Sequence, residues 1–179
     1  MRWLLLVSKV AFLTIACEPR LPELDEIEEL QKNLRILSEK QGANSSAFMT
    51  TALELARKEE AFSKKYPNHP SVPGLLIEAA EIYGTHFGDA QKAVSLLRQV
   101  DERFRQKSPL APKALFYEAF LYETMLSDTS KARQRYEDFL RLYPEHELAK
   151  DARLSLQNLG KPPEQLLQQI LKQTPSTQP

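Results

Sequence analysis

The side chains that could carry out chemistry are few, and they lie far apart in the sequence. His69, His86 and His146 form no His-x-x-x-His pair and no cluster with the spacing of metal ligands. The glycines form no phosphate-binding loop, no serine lies in a Gly-x-Ser-x-Gly motif, and the carboxylates fall on helical faces that we expect to be exposed. We therefore expect no enzyme activity, no catalytic residue, no metal and no cofactor. A muramidase activity has no support in the residues.

The composition favours one helical domain and argues against nucleic-acid binding. The chain has 179 residues, 42% hydrophobic and 27% charged, and its five glycines are too few for a turn-rich β architecture. Lysine plus arginine and aspartate plus glutamate both total 24, so no net charge attracts nucleic acid. A single cysteine cannot form an intramolecular disulfide or a cysteine-rich zinc site. Stability must therefore come from packing.

The first sixteen residues have the layout of a secretory signal peptide. Arg2 gives a positive start, residues 3–7 and 10–16 are mostly apolar, and the small Ala16 precedes Cys17. One alternative is an uncleaved anchor, but the apolar stretch is shorter than the about 20 residues that span a bilayer. Another is a free buried thiol, but the residues after Cys17 offer nothing apolar to bury it. A cleaved signal is the better interpretation.

The residues Leu-Thr-Ile-Ala-Cys at positions 13–17 resemble a bacterial lipobox. They depart from that pattern at Thr14, where the family usually has Leu, Val or Ile, and Lys9 interrupts the apolar run. The resemblance implies that residues 1–16 are removed and that the thiol of Cys17 carries diacylglycerol at the new N-terminus. Residues 17–21 would then be a lipidated linker, and the acyl chains would attach the protein to a membrane.

An internal repeat with an offset of 39 residues organises the middle of the chain. Two helical segments of one copy match two segments of the next, each with small and large apolar residues at helical spacing. We expect these residues to pack the repeats together: Ala80, Tyr83, Ala93, Leu97 and Val100 in the first copy, and Ala119, Tyr122, Ala132, Tyr136, Phe139 and Pro144 in the second. Half-repeats at offsets 38 and 77 extend the array in both directions.

Periodicity, N-cap residues and prolines predict eight helices, at about 22–40, 46–65, 72–86, 90–106, 111–126, 130–143, 147–158 and 163–172. Asp89 and Asp128 are the expected N-caps of the second helix in each repeat. The units are an N-terminal helical pair at 22–67, repeats at 68–107 and 108–145, and a C-terminal half-repeat with a capping helix at 146–172. Residues 173–179 have no apolar periodicity and are expected to be disordered.

The pattern small-x-x-Tyr, then Asp-x-x-Lys-Ala, an aromatic residue and Tyr-Pro resembles the tetratricopeptide repeat. The first copy departs from it with Leu97 in place of an aromatic residue and no proline after Phe104, so its closing turn is expected to differ. The 39-residue spacing also exceeds the common length of about 34. The resemblance implies an all-α, right-handed solenoid of antiparallel helix pairs, with about 2.5–3 repeats and an N-terminal amphipathic capping helix.

Together with the lipobox, residues 13–172 resemble the small envelope lipoproteins with tetratricopeptide repeats, of the outer-membrane barrel-assembly and Tol–Pal-associated types, in a branch like that of Bacteroidetes. The resemblance implies an outer-membrane lipoprotein that faces the periplasm and acts as a scaffold for envelope proteins, in outer-membrane assembly or cell-division coordination. The alternative is a periplasmic accessory that binds a peptide or glycan for an envelope enzyme or transport complex. Neither the partner nor the oligomeric state follows from the sequence.

If the alanines at 80 and 119 lie in the seam between helices, the neighbouring positions face a concave groove. We expect this groove to be lined by Ile77, Glu81, Phe116 and Phe120, with Lys113 and Glu123 at its edge. Two aromatic rings one turn apart could hold an apolar side chain of a partner. The alternative is that a neighbouring helix buries both rings.

The segment at 22–40 has one narrow apolar stripe, formed by Leu24, Ile27, Leu30, Leu34 and Leu37, among many acidic residues. It is expected to pack on the next helix as the cap of the array. Association with a second copy is the alternative, although two heptads are short for a coiled coil. The acidic cluster lacks the glycine and the alternating oxygen donors of a calcium loop, so it is interpreted as a solvated face.

Overall fold

A computed structural model describes residues 21–162 and 164–165, and every regular element among them is a helix. The helices are α1 Pro22–Gln41, α2 Ser46–Lys65, α3 Val72–Phe87, α4 Ala90–Phe104, α5 Ala111–Thr124, α6 Thr129–Leu142 and α7 Ala149–Asn158. Their ends lie within two residues of the predicted ones. The predicted signal peptide, Cys17, the tail and nearly all of the predicted helix at 163–172 lie outside the described residues.

Each helix packs against the next one along the chain, from α1 on α2 to α6 on α7, and the main contact between non-consecutive helices joins α3 to α5. The fold is therefore all-α, with neighbouring helices stacked in sequence order. One core runs through the stack, from Ile27 in α1 to Ala152 in α7. Across residues 21–162, no helix is both long enough and apolar enough to cross a membrane.

The residues matched by the 39-residue offset occupy the interior. Ten of the eleven predicted packing residues are buried, and the alanines at 80, 93, 119 and 132 are completely inaccessible. Pro144 is the exception, because it is exposed just after the end of α6. Alanine at these positions lets the helix backbones approach closely. Larger buried side chains, such as those of Tyr136 and Phe139, fill the rest of the core.

The turns inside the two repeats have the same construction. Asp89 and Asp128 are N-caps as predicted, and their side chains accept hydrogen bonds of 3.0 Å from the amides of residues 92 and 131. The residue before each cap is left-handed: Gly88 has φ of 65° and Ser127 has φ of 51°. Glycine adopts this left-handed conformation without steric strain, whereas the side chain of Ser127 makes it less favourable.

The Tyr-Pro turns after α2 and α6 also share one design. The ring of Phe62 lies 4.8 Å from that of Tyr66 and 5.2 Å from His69, between ring centroids, and Phe139 lies 5.6 Å from Tyr143 and 5.7 Å from His146. In both turns the histidine Nδ1 accepts a hydrogen bond from a backbone amide two residues later. These two histidines therefore stabilise helix connections. No proline follows Phe104, and the turn there differs. In place of a histidine, Ser108 Oγ accepts the hydrogen bond from the backbone amide two residues later.

The apolar stripe of α1 packs against the core, and Ile27 is its most deeply buried member. Ion pairs tie the helix to α2: Glu26 to Lys58 at 2.6 Å, and Glu23 to Lys65. The other four leucines of the stripe are partly buried against the core, which agrees with packing of α1 on the next helix.

Candidate binding face

A groove lies along the face that α1, α3 and α5 share. Its α3–α5 half is lined by Glu78, Glu81, Ile82, Thr85, His86, Tyr117 and Phe120. Its α1–α3 half is lined by Gln31, Leu34, Arg35, Ser38 and Phe48, and again by Glu78. Both halves include Glu78, and we call the two together the odd-helix groove.

The aromatic part of the groove is formed by Tyr117 and Phe120. Their rings are stacked with centroids 6.3 Å apart, and Phe120 is 42% exposed. The expectation that Phe116 pairs with Phe120 in the groove is wrong. Phe116 instead packs edge-on against Tyr136 at 5.6 Å and Phe139 at 5.7 Å, both in α6. Since α6 lies along the side of α5 that carries Phe116, the neighbouring-helix alternative describes this ring.

Two further predicted residues face elsewhere. Ile77 is 3% exposed and belongs to the core, so it is not an accessible groove residue. Glu123 accepts a hydrogen bond of 2.7 Å from the hydroxyl of Tyr136, which directs its carboxylate toward α6.

Glu81 and Lys113 are brought together as an ion pair, with 2.8 Å between Lys113 Nζ and Glu81 Oε1. Both side chains are about half exposed, so the pair contributes little stability and can rearrange. It bridges α3 and α5 beside the aromatic rings. Of the predicted groove residues, Glu81 and Phe120 line the groove, and Lys113 is held at its edge through Glu81.

Sequence reasoning missed five residues that line the α3–α5 half: Glu78, Ile82, Thr85, His86 and Tyr117. A usable signal was present, because positions 78, 82 and 85 in α3 and positions 113, 117 and 120 in α5 are spaced by three or four residues. Choosing between that stripe and the neighbouring one requires the rotation of each helix, which the sequence does not specify.

A buried carboxyl group lies beneath the groove. Glu59 of α2 is 0% exposed, and its carboxyl group lies beside the carboxylate of Glu78 and the amide of Gln31. Above it, the amide of Gln31 donates a 2.6 Å hydrogen bond to Glu78 Oε2. Burial, followed by the neighbouring Glu78 charge, raises the pKa of Glu59 to about 10. Glu59 is therefore protonated and neutral at physiological pH.

A second buried acid lies away from the groove, between α4, α5 and α6. The carboxylate of Glu118 is 3.1 Å from Arg98 Nη2 and 3.2 Å from Arg135 Nε. Burial raises the pKa of Glu118, although both arginines act in the opposite direction. This ionic group joins three helices and has a structural role.

In the described part of the chain, no group of three or more His, Cys, Asp or Glu side chains is arranged to hold a metal ion. Neither the protein-family models nor the curated proteins gave a match to this sequence. The functional argument therefore rests on the repeat pattern and on the surface of the groove.

Proposed function

We propose that this chain is a tetratricopeptide-type scaffold that binds a segment of a partner protein in the odd-helix groove, without enzyme activity of its own. A right-handed solenoid of helix pairs is supported by the 39-residue offset, the buried alanine pairs and the packing of each helix on its neighbour. In such an array the first helices of successive pairs line the inner face, and here these are α1, α3 and α5.

The observation that carries the proposal is the exposed, stacked ring of Phe120 in an open groove between two helices. Exposed aromatic residues beside polar ones are typical of binding surfaces, because burying such a ring contributes about 1.5–3 kcal/mol. The polar rim formed by Glu81, Lys113 and Thr85 would fix the orientation of the bound segment. The groove thus suits a partner polypeptide.

We further propose that the thiol of Cys17 is acylated, which would attach the scaffold to a bacterial outer membrane, facing the periplasm. Only a few residues separate Cys17 from Pro22, where α1 begins, so the helical stack would stay close to the membrane. A clickable fatty acid fed to the producing cells should label the wild-type protein, and Cys17→Ala should lose both the label and the membrane fraction. Equal labelling of the variant would refute acylation at this residue.

Crosslinking of the native protein in the producing cells, followed by mass spectrometry, tests the scaffold function. Phe120→Ala should lose crosslinks to a specific partner. Met125→Ala is the matched control, because Met125 is also 42% exposed but lies at the end of α5, outside the groove lining. A partner list that is the same in wild type and both variants would contradict binding in the groove.

The alternative function, a periplasmic accessory that binds a peptide or glycan, uses the same groove. Tyr117 and Phe120 offer a flat apolar surface next to the carboxylates of Glu78 and Glu81, so a small ligand could also be held there. Native mass spectrometry of the protein purified from its own cells separates the two functions. A small molecule whose retention depends on Phe120, without a protein crosslink, would favour the accessory function.

A further inference from the structure

The first helix pair of the stack carries a second groove, between α1 and α2. Its volume is about 830 Å³, against about 510 Å³ for the α3–α5 half of the odd-helix groove. Leu30 and Ile36 of α1 line it, and a neighbouring depression on α2 is lined by Leu53. Both include Glu54 and Lys58, and we call the two together the outer face. None of its lining residues also lines the odd-helix groove.

The outer face is partly apolar, although it lies at one end of the array. Such an end normally has a polar surface, because no further repeat covers it. Here Leu30 and Leu53 are half-buried, and Ile36 is 38% exposed. Charged side chains of both signs surround these apolar groups. An apolar centre with a charged rim is typical of a surface that another polypeptide covers.

In the described part of the chain, four exposed side chains of the outer face form no ion pair: Glu29 and Lys32 on α1, and Glu54 and Arg57 on α2. Lys58 lies near Glu54, but its amine binds Glu26 at 2.6 Å. On each helix the acid comes three residues before the base, which is nearly one helical turn. The face therefore offers acids and bases in equal number to another molecule.

The charges on α1 complement themselves. A two-fold axis that crosses α1 between residues 30 and 31 places the same helix of a second copy antiparallel to it. Glu29 of each copy then faces Lys32 of the other, because the two residues lie at equal distances from the axis. Opposite charges that face each other across an interface fix the register and favour the matching partner.

The charges on α2 complement themselves about the same axis. The ion pairs of Glu26 with Lys58 and of Glu23 with Lys65 set the register of the two antiparallel helices. They place residues 54–57 of α2 level with the centre of α1, so the axis also relates Glu54 of one copy to Arg57 of the other. Agreement between two helices on one axis favours a second copy as the occupant.

The area of the outer face is sufficient for a weak dimer. α1 and α2 each have 20 residues, so each is about 30 Å long, and side by side they are about 20 Å wide. Their common face is therefore about 600 Å² on each copy, or about 1,200 Å² in total, which is near the lower limit for a specific complex. We expect a reversible dimer and not an obligate one.

We propose that the outer face is an interface between two copies of this chain, related by a two-fold axis, with α1 antiparallel to α1 of the second copy. This interface goes beyond the proposed scaffold function and does not depend on it. Because the odd-helix groove uses other residues, both copies of that groove stay open in the dimer. A partner with two binding segments would then bind the dimer more tightly than a single chain.

Co-capture of two full-length copies with different tags, made in the same cells, tests the interface. Wild-type copies should be captured together. Glu29→Lys in both copies should reduce capture at least about tenfold, because lysines then face each other across the axis, and Lys32→Glu in both should do the same with glutamates. Glu137→Lys is the control, because Glu137 is exposed on α6, away from the outer face. Circular dichroism of each variant verifies that its helices are intact.

Mixing the two reversed copies separates direct contact from capture through a shared partner or membrane. A copy with Glu29→Lys should capture a copy with Lys32→Glu about as well as wild type captures wild type, because every lysine again faces a glutamate. Failure of wild-type copies to capture each other would overturn the inference. Loss of capture in the single variants without recovery in the mixed pair would overturn it as well.

A photo-crosslinking amino acid at position 33 identifies what covers the outer face, because Asn33 is an exposed residue of its lining. A product with the mass of two chains would support the dimer, whereas a product only with another protein or a lipid would overturn it. Phe120→Ala should leave co-capture unchanged, since Phe120 lies in the odd-helix groove. Loss of co-capture in that variant would indicate bridging by a groove partner and overturn the inference without affecting the scaffold function.

Discussion

Replacing Glu59 by glutamine should stabilise the protein, and the gain should depend on pH. The variant keeps the size of the side chain but removes the need to protonate a carboxyl in the folded state. In the folded protein the pKa of Glu59 is raised from about 4.5 to about 10 by burial and by Glu78. The folded state therefore holds a proton that the unfolded chain releases once the pH exceeds about 4.5.

The size of the effect follows from proton linkage. A carboxyl group whose pKa is raised in the folded state does not change the free energy of unfolding at pH values below its unfolded-state pKa. It lowers that free energy as the pH rises from the unfolded-state pKa toward the folded-state pKa. One pH unit corresponds to 1.36 kcal/mol, so holding the proton on Glu59 near pH 7 costs about 3 kcal/mol. Glutamine avoids that cost. Glu59→Gln should therefore be about 2–3 kcal/mol more stable than wild type near pH 7, and nearly equal to it near pH 4.5.

Urea unfolding followed by far-ultraviolet circular dichroism, at a series of pH values, measures this difference as a shift in midpoint with an unchanged slope. Glu54→Gln is the matched control on the same helix, because Glu54 is exposed. It should change the free energy of unfolding by less than about 0.5 kcal/mol at every pH. Equal stability of Glu59→Gln and wild type at both ends of the pH range would refute the buried, protonated state of Glu59.

Other substitutions test the packing and the turns, with urea unfolding as the common measurement. Ser127→Gly should raise the free energy of unfolding by about 0.5–1 kcal/mol, and Gly88→Ala should lower it by about 1 kcal/mol, because both residues are left-handed; effects of the opposite sign would contradict this. Glu118→Ala should cost about 2–3 kcal/mol, since two arginines lose their buried partner, and a neutral result would refute an ionic role. Phe139→Ala should cost about 3–5 kcal/mol, whereas Leu154→Ala at the exposed surface of α7 should be nearly neutral; similar losses for both would count against the core assignment.

The helices were predictable because several local signals coincide at their ends. Asp89 and Asp128 cap the amides that open α4 and α6, and the prolines at 67 and 144 follow the ends of α2 and α6. The 39-residue offset then identified which apolar residues share a helix face. Position 127 corresponds to Gly88 at this offset, so the left-handed conformation of Ser127 could also have been predicted.

The groove residues were harder to predict, because the buried alanines indicate the core side of each helix but not which of the flanking positions the next helix covers. Phe116 and Tyr117 are adjacent in α5, but Phe116 packs against Tyr136 and Phe139 of α6 whereas Tyr117 lines the groove. Glu59 was not singled out at all. A glutamate within a run of charged residues is typical of a solvated surface, and only the approach of α1 and α3 buries it.

Binding of a partner in the odd-helix groove is tested most directly by a photo-crosslinking amino acid placed at single positions in the producing cells. Thr85 is an exposed residue of the groove lining, and Gln134 is an exposed residue on α6. We predict a discrete crosslinked protein from position 85, its loss when Phe120→Ala is added, and no such product from position 134. The same products from both positions, or none from position 85, would contradict the proposal that this face binds a partner.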